Sequence, residues 1–241
     1  MDLKINRTKQ EVADAFSKYL IAFVENRKEV HIALSGGSTP KIVFDTLAKH
    51  YTDQTDWAKV YLYWGDERCV TPEDDASNFK MTKEHLLSKL NIPKGNIYRI
   101  KGENRPEYEA RRYSKVLSNA LPKRREVPRF DLVILGMGDD GHTASIFPYE
   151  IDLWYSKKYC EVATHPDSGQ KRITITGQVI NNAQEVAFLV TGENKAVKLG
   201  EIIDKKGRFK DYPASLVNPR SGKLIWFMDQ AAAANITSPH F

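Results

Sequence analysis

The stretch VHIALSGGSTPKIVFDTLAKH, residues 30–50, decides the fold. It opens on a short apolar run, breaks at two glycines, and resumes with apolar residues at helical spacing, so it reads as strand, tight turn and helix. The same order recurs on both sides. VYLYWGDE (60–67) precedes SNFKMTKEHLLSKL (77–90), NIYRI (96–100) precedes EYEARRYSKVLSNAL (107–121), and EVAFLVTG (185–192) precedes ENKAVKLGEII (193–203). Near the start, Thr8 and Glu11 have capping-box spacing, and Val12, Phe16, Tyr19, Leu20 and Phe23 follow at helical period. KLIWFMD (223–229) reads as a late strand before the helical QAAAA. Strands alternating with helices imply βαβ units, hence an α/β protein with a mostly parallel sheet covered on both faces. Residues 148–171 are the least regular stretch.

With 241 residues, 41% of them hydrophobic and 28% charged, the chain is ordinary globular material, long enough for one large domain or two small ones. The formal charge of +5 would suit an anionic partner, but the charges are interspersed. The densest basic runs, 123–125 and 205–210, fall in turn-like connections without the interleaved aromatics of a nucleic-acid stacking platform. Two cysteines cannot make a disulfide framework or a CxxC metal site, and no apolar run approaches a membrane span. These features fit a reduced, cytoplasmic protein that uses neither nucleic acid nor membrane.

In such sheets ligands collect beyond the carboxyl ends of the strands, and the polar clusters fall there: 35–40, 66–68, 136–142 and 191–195. SGGSTP (35–40) suits an anion. Gly36 and Gly37 let the backbone approach, Ser38 and Thr39 supply hydroxyls, and Pro40 fits the first helical position. The loop lacks the GK[ST] of a nucleoside triphosphate site. Gly136, Gly138 and Gly141 match the spacing of a dinucleotide fingerprint, but Asp139 and Asp140 would repel a pyrophosphate and Pro148 curtails the helix it needs. His142 has the pKa range for moving a proton near neutrality, and Asp140 is placed to orient its ring. A metal finds no HxxxH or HxH, and Ser145 has no nucleophile elbow. Alternation along the strand turns Asp66 and Arg68 to one side and Glu67 to the other, where a structural ion pair competes with a functional role.

Four blocks, SGGSTP (35–40), WGDERCVTPEDDASN (64–78), LGMGDDGHTASIFP (135–148) and KRITIT with NNAQEVAFLVTGENKA (171–196), together resemble the 6-phosphogluconolactonases. The resemblance continues in order to PASLV (213–217) and LIWFMDQAAA (224–233). It implies a single domain over 1–241 with a three-layer α/β/α sandwich and a Rossmann-like sheet, related to glucosamine-6-phosphate deaminase. It implies hydrolysis of 6-phosphoglucono-δ-lactone without cofactor or metal, with a small sugar-phosphate lactone as partner and the chain a monomer or small homo-oligomer. The roles it carries over are His142 as general base and acid, oxyanion stabilisation by Arg68 or loop amides, phosphate binding by the SGGST loop with Arg172 and Lys195, and Asp66 and Asp140 as polar site residues. Ser77 and Asn78 either shape the pocket or cap the next helix. The deaminase pattern resembles DGHIAFNEP, whose glutamate is replaced here by Phe147, and its DEY-like segment reads DER. A sugar-phosphate sensor of the same fold is a third, non-catalytic possibility. FPYEIDLW (147–154) departs from the FPG of many relatives.

Overall fold

The computed structural model describes residues 1–220 and 222–237. In chain order the strands are β1 (Asp2–Asn6), β2 (Val30–Leu34), β3 (Val60–Trp64), β4 (Asp66–Arg68), β5 (Ile97–Tyr98) and β6 (Lys123–Arg124). They continue as β7 (Val127–Pro128), β8 (Leu132–Leu135), β9 (Cys160–Thr164), β10 (Lys171–Ile175), β11 (Glu185–Val190) and β12 (Lys223–Asp229). The α-helices are α1 (Lys9–Glu25), α2 (Ser38–His50), α3 (Asn78–Thr82), α4 (Pro106–Ala120), α5 (Gly177–Ile180), α6 (Ala196–Asp204) and α7 (Gln230–Ala233).

Seven strands form one parallel sheet in the order β1-β12-β11-β8-β2-β3-β5. Every residue of β2 and β8 is buried, so helices cover both faces and the protein is the expected three-layer α/β/α sandwich. Aromatic packing ties the layers together: Phe188 and Trp226 stack across neighbouring strands at 3.8 Å, and Phe16 of α1 meets Phe227 edge-on at 5.2 Å. From β2 the chain runs outward through β3 to β5, and from β8 it runs the opposite way through β11 to β12. The β2/β8 boundary is therefore the switch point, where the loops leaving the two strands diverge and open a crevice.

A second sheet, β4-β10-β9, is antiparallel. VYLYWGDE, read as one strand, is split at Gly65 between the two sheets. The Gly65 amide donates to Leu34 of β2 at 2.8 Å, while its carbonyl accepts from Ile175 of β10 at 2.8 Å. Most of the irregular 148–171 stretch is also ordered, as a 3₁₀ segment at Pro148–Tyr155 followed by β9 and the turn into β10. Its apolar residues had no single period because they serve two kinds of element.

Two helix starts differ from expectation. Pro40 is the third residue of α2, not the first, because Gly37 at φ 110 serves as the N-cap. At α1 the Thr8 side chain accepts from the Glu11 amide at 3.2 Å, but the Glu11 carboxylate reaches past Thr8 to the Arg7 amide at 2.9 Å. No helix among the described residues is long and apolar enough to cross a membrane.

The end of β3, from which Gly65 departs, is held by Tyr113 of α4. Its buried hydroxyl accepts from the Trp64 amide at 2.9 Å and lies 3.1 Å from the Tyr98 carbonyl. Tyr113→Phe leaves these groups unsatisfied and is expected to cost about 1–3 kcal/mol in urea unfolding. A loss below about 0.5 kcal/mol would mean the hydroxyl does not anchor this strand.

Candidate active site

The loops after β2 and β8 meet at the switch point around a cavity of about 220 Å³. It is lined by Ser35, Gly36, Gly37, Asp66, Arg68, Asn78, Gly136, Met137, Gly138, His142, Ala144, Arg172 and Lys195. A larger groove of about 410 Å³ runs between α4 and β9 and contains none of these residues. Two glycines are sterically required here. A Cβ on Gly36 would stand 1.8 Å from Asn78 Oδ1, and one on Gly138 would stand 2.1 Å from His142 Nδ1. The backbone thus approaches both side chains as closely as a chain can.

The His142 turn closes on itself: Gly138 N donates to His142 O at 2.9 Å and Gly141 N to Gly138 O at 3.1 Å. Gly141, at φ 87, presses against the Tyr212 ring, so no helix opens there and the arrangement of a dinucleotide site is missing. Ala144 holds φ 49, a left-handed conformation that costs a non-glycine residue about 1 kcal/mol or more. Within the turn, Asp140 Oδ1 accepts from the His142 amide at 3.0 Å and stands 2.6 Å from His142 Nδ1. Burial acts to raise the Asp140 pKa. The hydrogen bond and charge of His142, with backbone amides, outweigh it and hold the carboxyl below its usual range. An ionised Asp140 accepts a hydrogen bond from Nδ1–H and so leaves Nε2 as the acceptor.

Across the cavity, β4 and β10 pair with Arg68 directly opposite Arg172. Neither arginine makes an ion pair among the described residues. Arg68 donates to the carbonyl of Ala76, and the Nε atoms of both guanidinium groups are buried without an acceptor. Burial, then the charge of Arg68, lowers the pKa of Arg172. Lys195 completes the cationic side and is paired with Asp139, whose own pKa this contact depresses.

The carboxylates of β4 are occupied elsewhere. Asp66 Oδ2 accepts from the buried Ser145 hydroxyl at 2.6 Å, and the Asp66 carbonyl accepts from Asn78 Nδ2 at 3.0 Å. Glu67 points away, as alternation required, and accepts from the amides of Arg68, Asn78 and Phe79 and from the Ser77 hydroxyl. Burial pushes its pKa up while those three amides pull it down.

Of the residues singled out in the sequence, Gly36, Gly37, Asp66, Arg68, His142, Arg172 and Lys195 converge on this cavity, with Asp140 behind His142. Two do not join them. The Thr39 hydroxyl, expected to face an anion, is buried against Thr191 at 2.8 Å and joins α2 to the loop after β11. Ser38 lines an adjoining recess with Lys41 and Lys80, because α2 begins at Ser38 itself and turns that side chain outward. The competing Asp66–Arg68 ion pair does not form. Ser77 caps α3 through Lys80 N at 3.1 Å, whereas Asn78 reaches the cavity, so the two proposed uses of that pair are divided between them. Ser145 carried no signal for its contact with Asp66, and Phe147, singled out only for standing where the deaminase pattern has a glutamate, gave none for its packing on Arg172. Among the described residues no cluster of three or more His, Cys, Asp or Glu could hold a metal ion.

An imidazole hydrogen-bonded to a carboxylate, set against guanidinium groups that make no ion pair among the described residues, marks an α/β protein with the groups for acid–base chemistry. Comparison with known proteins gives the family. Residues 5–226 match the glucosamine-6-phosphate isomerases/6-phosphogluconolactonase model, and the chain belongs to that family. It is 45% identical over 196 residues to a 6-phosphogluconolactonase of Treponema pallidum, covering 80% of this chain and 81% of the relative. Identity to the Haemophilus influenzae 6-phosphogluconolactonase is 40% over 226 residues, 93% of this chain and 95% of that one. The crystal structure of devB protein superposes with a TM-score of 0.93 at 39% identity, covering 98% of this chain and 99% of that chain.

A carboxyl whose folded pKa is depressed adds stability above its unfolded pKa and loses it as the pH falls through the folded value. The wild type is therefore expected to be more stable than Asp140→Asn at pH 7, with the difference in Tm shrinking as the pH drops below about 4. A difference independent of pH would show that the Asp140 charge is not held by His142.

Proposed function

We propose that this chain hydrolyses 6-phosphoglucono-δ-lactone to 6-phosphogluconate, the lactone-opening step of the oxidative pentose phosphate pathway. The observation that carries the reading is that His142 and the Arg68–Arg172 pair line one cavity, so a single small sugar phosphate can touch both. Family membership and the 6-phosphogluconolactonase relatives support it.

The chemistry follows from the groups present. Asp140 holds the proton on Nδ1, and Nε2 of His142 takes a proton from water as its oxygen attacks C1 of the lactone. The C1 carbonyl oxygen becomes an oxyanion, for which Arg68 and the loop amides supply positive partial charge. As the tetrahedral centre collapses, the ring oxygen leaves and receives the proton from His142, which restores the neutral imidazole. Arg172 and Lys195, with the amides at the start of α2, hold the phosphate. Lys195 exchanges its contact with Asp139 for the ligand. Asp66, fixed by Ser145 and Asn78, is left to orient a sugar hydroxyl.

The deaminase alternative is disfavoured by Phe147, which puts an aromatic ring 4.7 Å from His142 where that pattern has a glutamate. Asp140 is the one carboxylate hydrogen-bonded to His142 among the described residues.

Lactone consumption, corrected for spontaneous hydrolysis, is expected to exceed the buffer rate, with no ammonia released from glucosamine 6-phosphate. A rate equal to buffer refutes the reading. His142→Ala is expected to lower kcat by about 10² to 10⁴ while leaving product affinity nearly unchanged. A folded variant with normal kcat would remove His142 from the mechanism. Arg172→Ala should chiefly raise KM, by about tenfold or more for a lost charged hydrogen bond, and an unchanged KM would exclude it as a phosphate ligand.

A further inference from the structure

We infer that Phe147 is a positioning residue: its ring holds the guanidinium of Arg172 and the imidazole of His142 in fixed relation without neutralising either. The inference rests on the reading of Arg172 as a ligand for the substrate's phosphate.

Arg172 makes no side-chain hydrogen bond and no ion pair among the described residues, and burial and the opposed Arg68 together outweigh the attraction of the Asp66 and Glu67 charges. A guanidinium in that setting should swing into solvent. Its specific partner is the Phe147 ring, whose centroid lies 5.5 Å from Arg172 Cζ. That is within range of attraction between a cation and the negative face of an aromatic ring. The same ring meets the His142 imidazole at 4.7 Å with the planes inclined by 52°.

Phe147 is itself immobilised. It is 1% exposed, meets the His165 ring edge-on at 5.4 Å, and lies 6.1 Å from the Tyr149 ring. Tyr149 is tied to the Thr164 carbonyl at the end of β9, next to the turn that leads into Arg172's strand. The brace therefore runs from the His142 turn through Phe147 to the β9–β10 hairpin.

An aromatic ring does what a carboxylate here could not. Asp or Glu would fix Arg172 equally well but would cancel the charge the ligand needs, and a second carboxylate beside His142 would favour its imidazolium form, which cannot take a proton from water. The quadrupole of a benzene ring attracts the cation weakly and leaves its donors free.

The test replaces Phe147 with pentafluorophenylalanine, which keeps the ring's shape and reverses the polarity of its face. Binding of inorganic phosphate and of 6-phosphogluconate is measured by calorimetry, with Tm as a check on packing. The fluorinated protein is expected to bind both anions about three- to tenfold more weakly with little change in Tm. Phe147→Tyr, which retains the ring face, should stay within about twofold of wild type, and Phe147→Leu should weaken binding as the fluorinated ring does. Equal anion binding by the native and fluorinated proteins overturns the inference while leaving the lactonase reading intact. A wild type that binds neither anion overturns that reading and this inference with it.

Discussion

Two arginines face each other across a pair of antiparallel strands, and most of the site can be understood as the means of keeping them so. Like charges directly opposite in a sheet are destabilising, and burial adds to that cost for Arg172. The register between Arg68 and Arg172 is fixed by the ladder of β4, β10 and β9, so neither can slip away without breaking backbone hydrogen bonds. On the proposed reading, an arriving anion relieves the repulsion, so that part of its binding energy is prepared in the free protein.

Asp66 and Glu67 offset part of the charge on Arg172, yet none of the nearby acidic residues closes an ion pair with either arginine among the described residues. Asp66 is turned to Ser145 and Asn78, Glu67 to three backbone amides and a serine hydroxyl, and Asp140 to the imidazole of His142. Glu67 and Asp140 are held by these bonds, while Asp66 keeps acceptor capacity on Oδ1. Of the cations lining the cavity, Lys195 carries an internal counter-ion, Asp139, and that aspartate lies on the more exposed side of the pair. The parallel sheet contributes the location. Its switch point between β2 and β8 brings two glycine-rich loops together, and the break at Gly65 delivers β4 across the opening.

The alternation of strands and helices, the parallel sheet and most of the cavity's lining were legible in the sequence, because hydrophobic period and glycine placement are local properties. His142, Asp140 and the SGG turn announce themselves within a few residues. The facts that could not be read involve pairings across long separations. Thr39 turns to Thr191 instead of to a ligand, and Ser145 serves Asp66, contacts set by which loops the sheet order makes neighbours. The second sheet was hidden for the same reason: VYLYWGDE carries no mark at which one ladder ends and another begins. Phe147 read as a missing glutamate, and its positive use became visible only once Arg172 was seen beside it without another partner.

A crystal structure with 6-phosphogluconate bound tests most directly whether one cleft engages both ends of one molecule. The phosphate is expected against Arg172 and Lys195, with C1 on the His142 side of the cavity. A product molecule seated with its phosphate outside this cavity, or with C1 turned away from His142, would contradict the assignment of these residues to a single reaction.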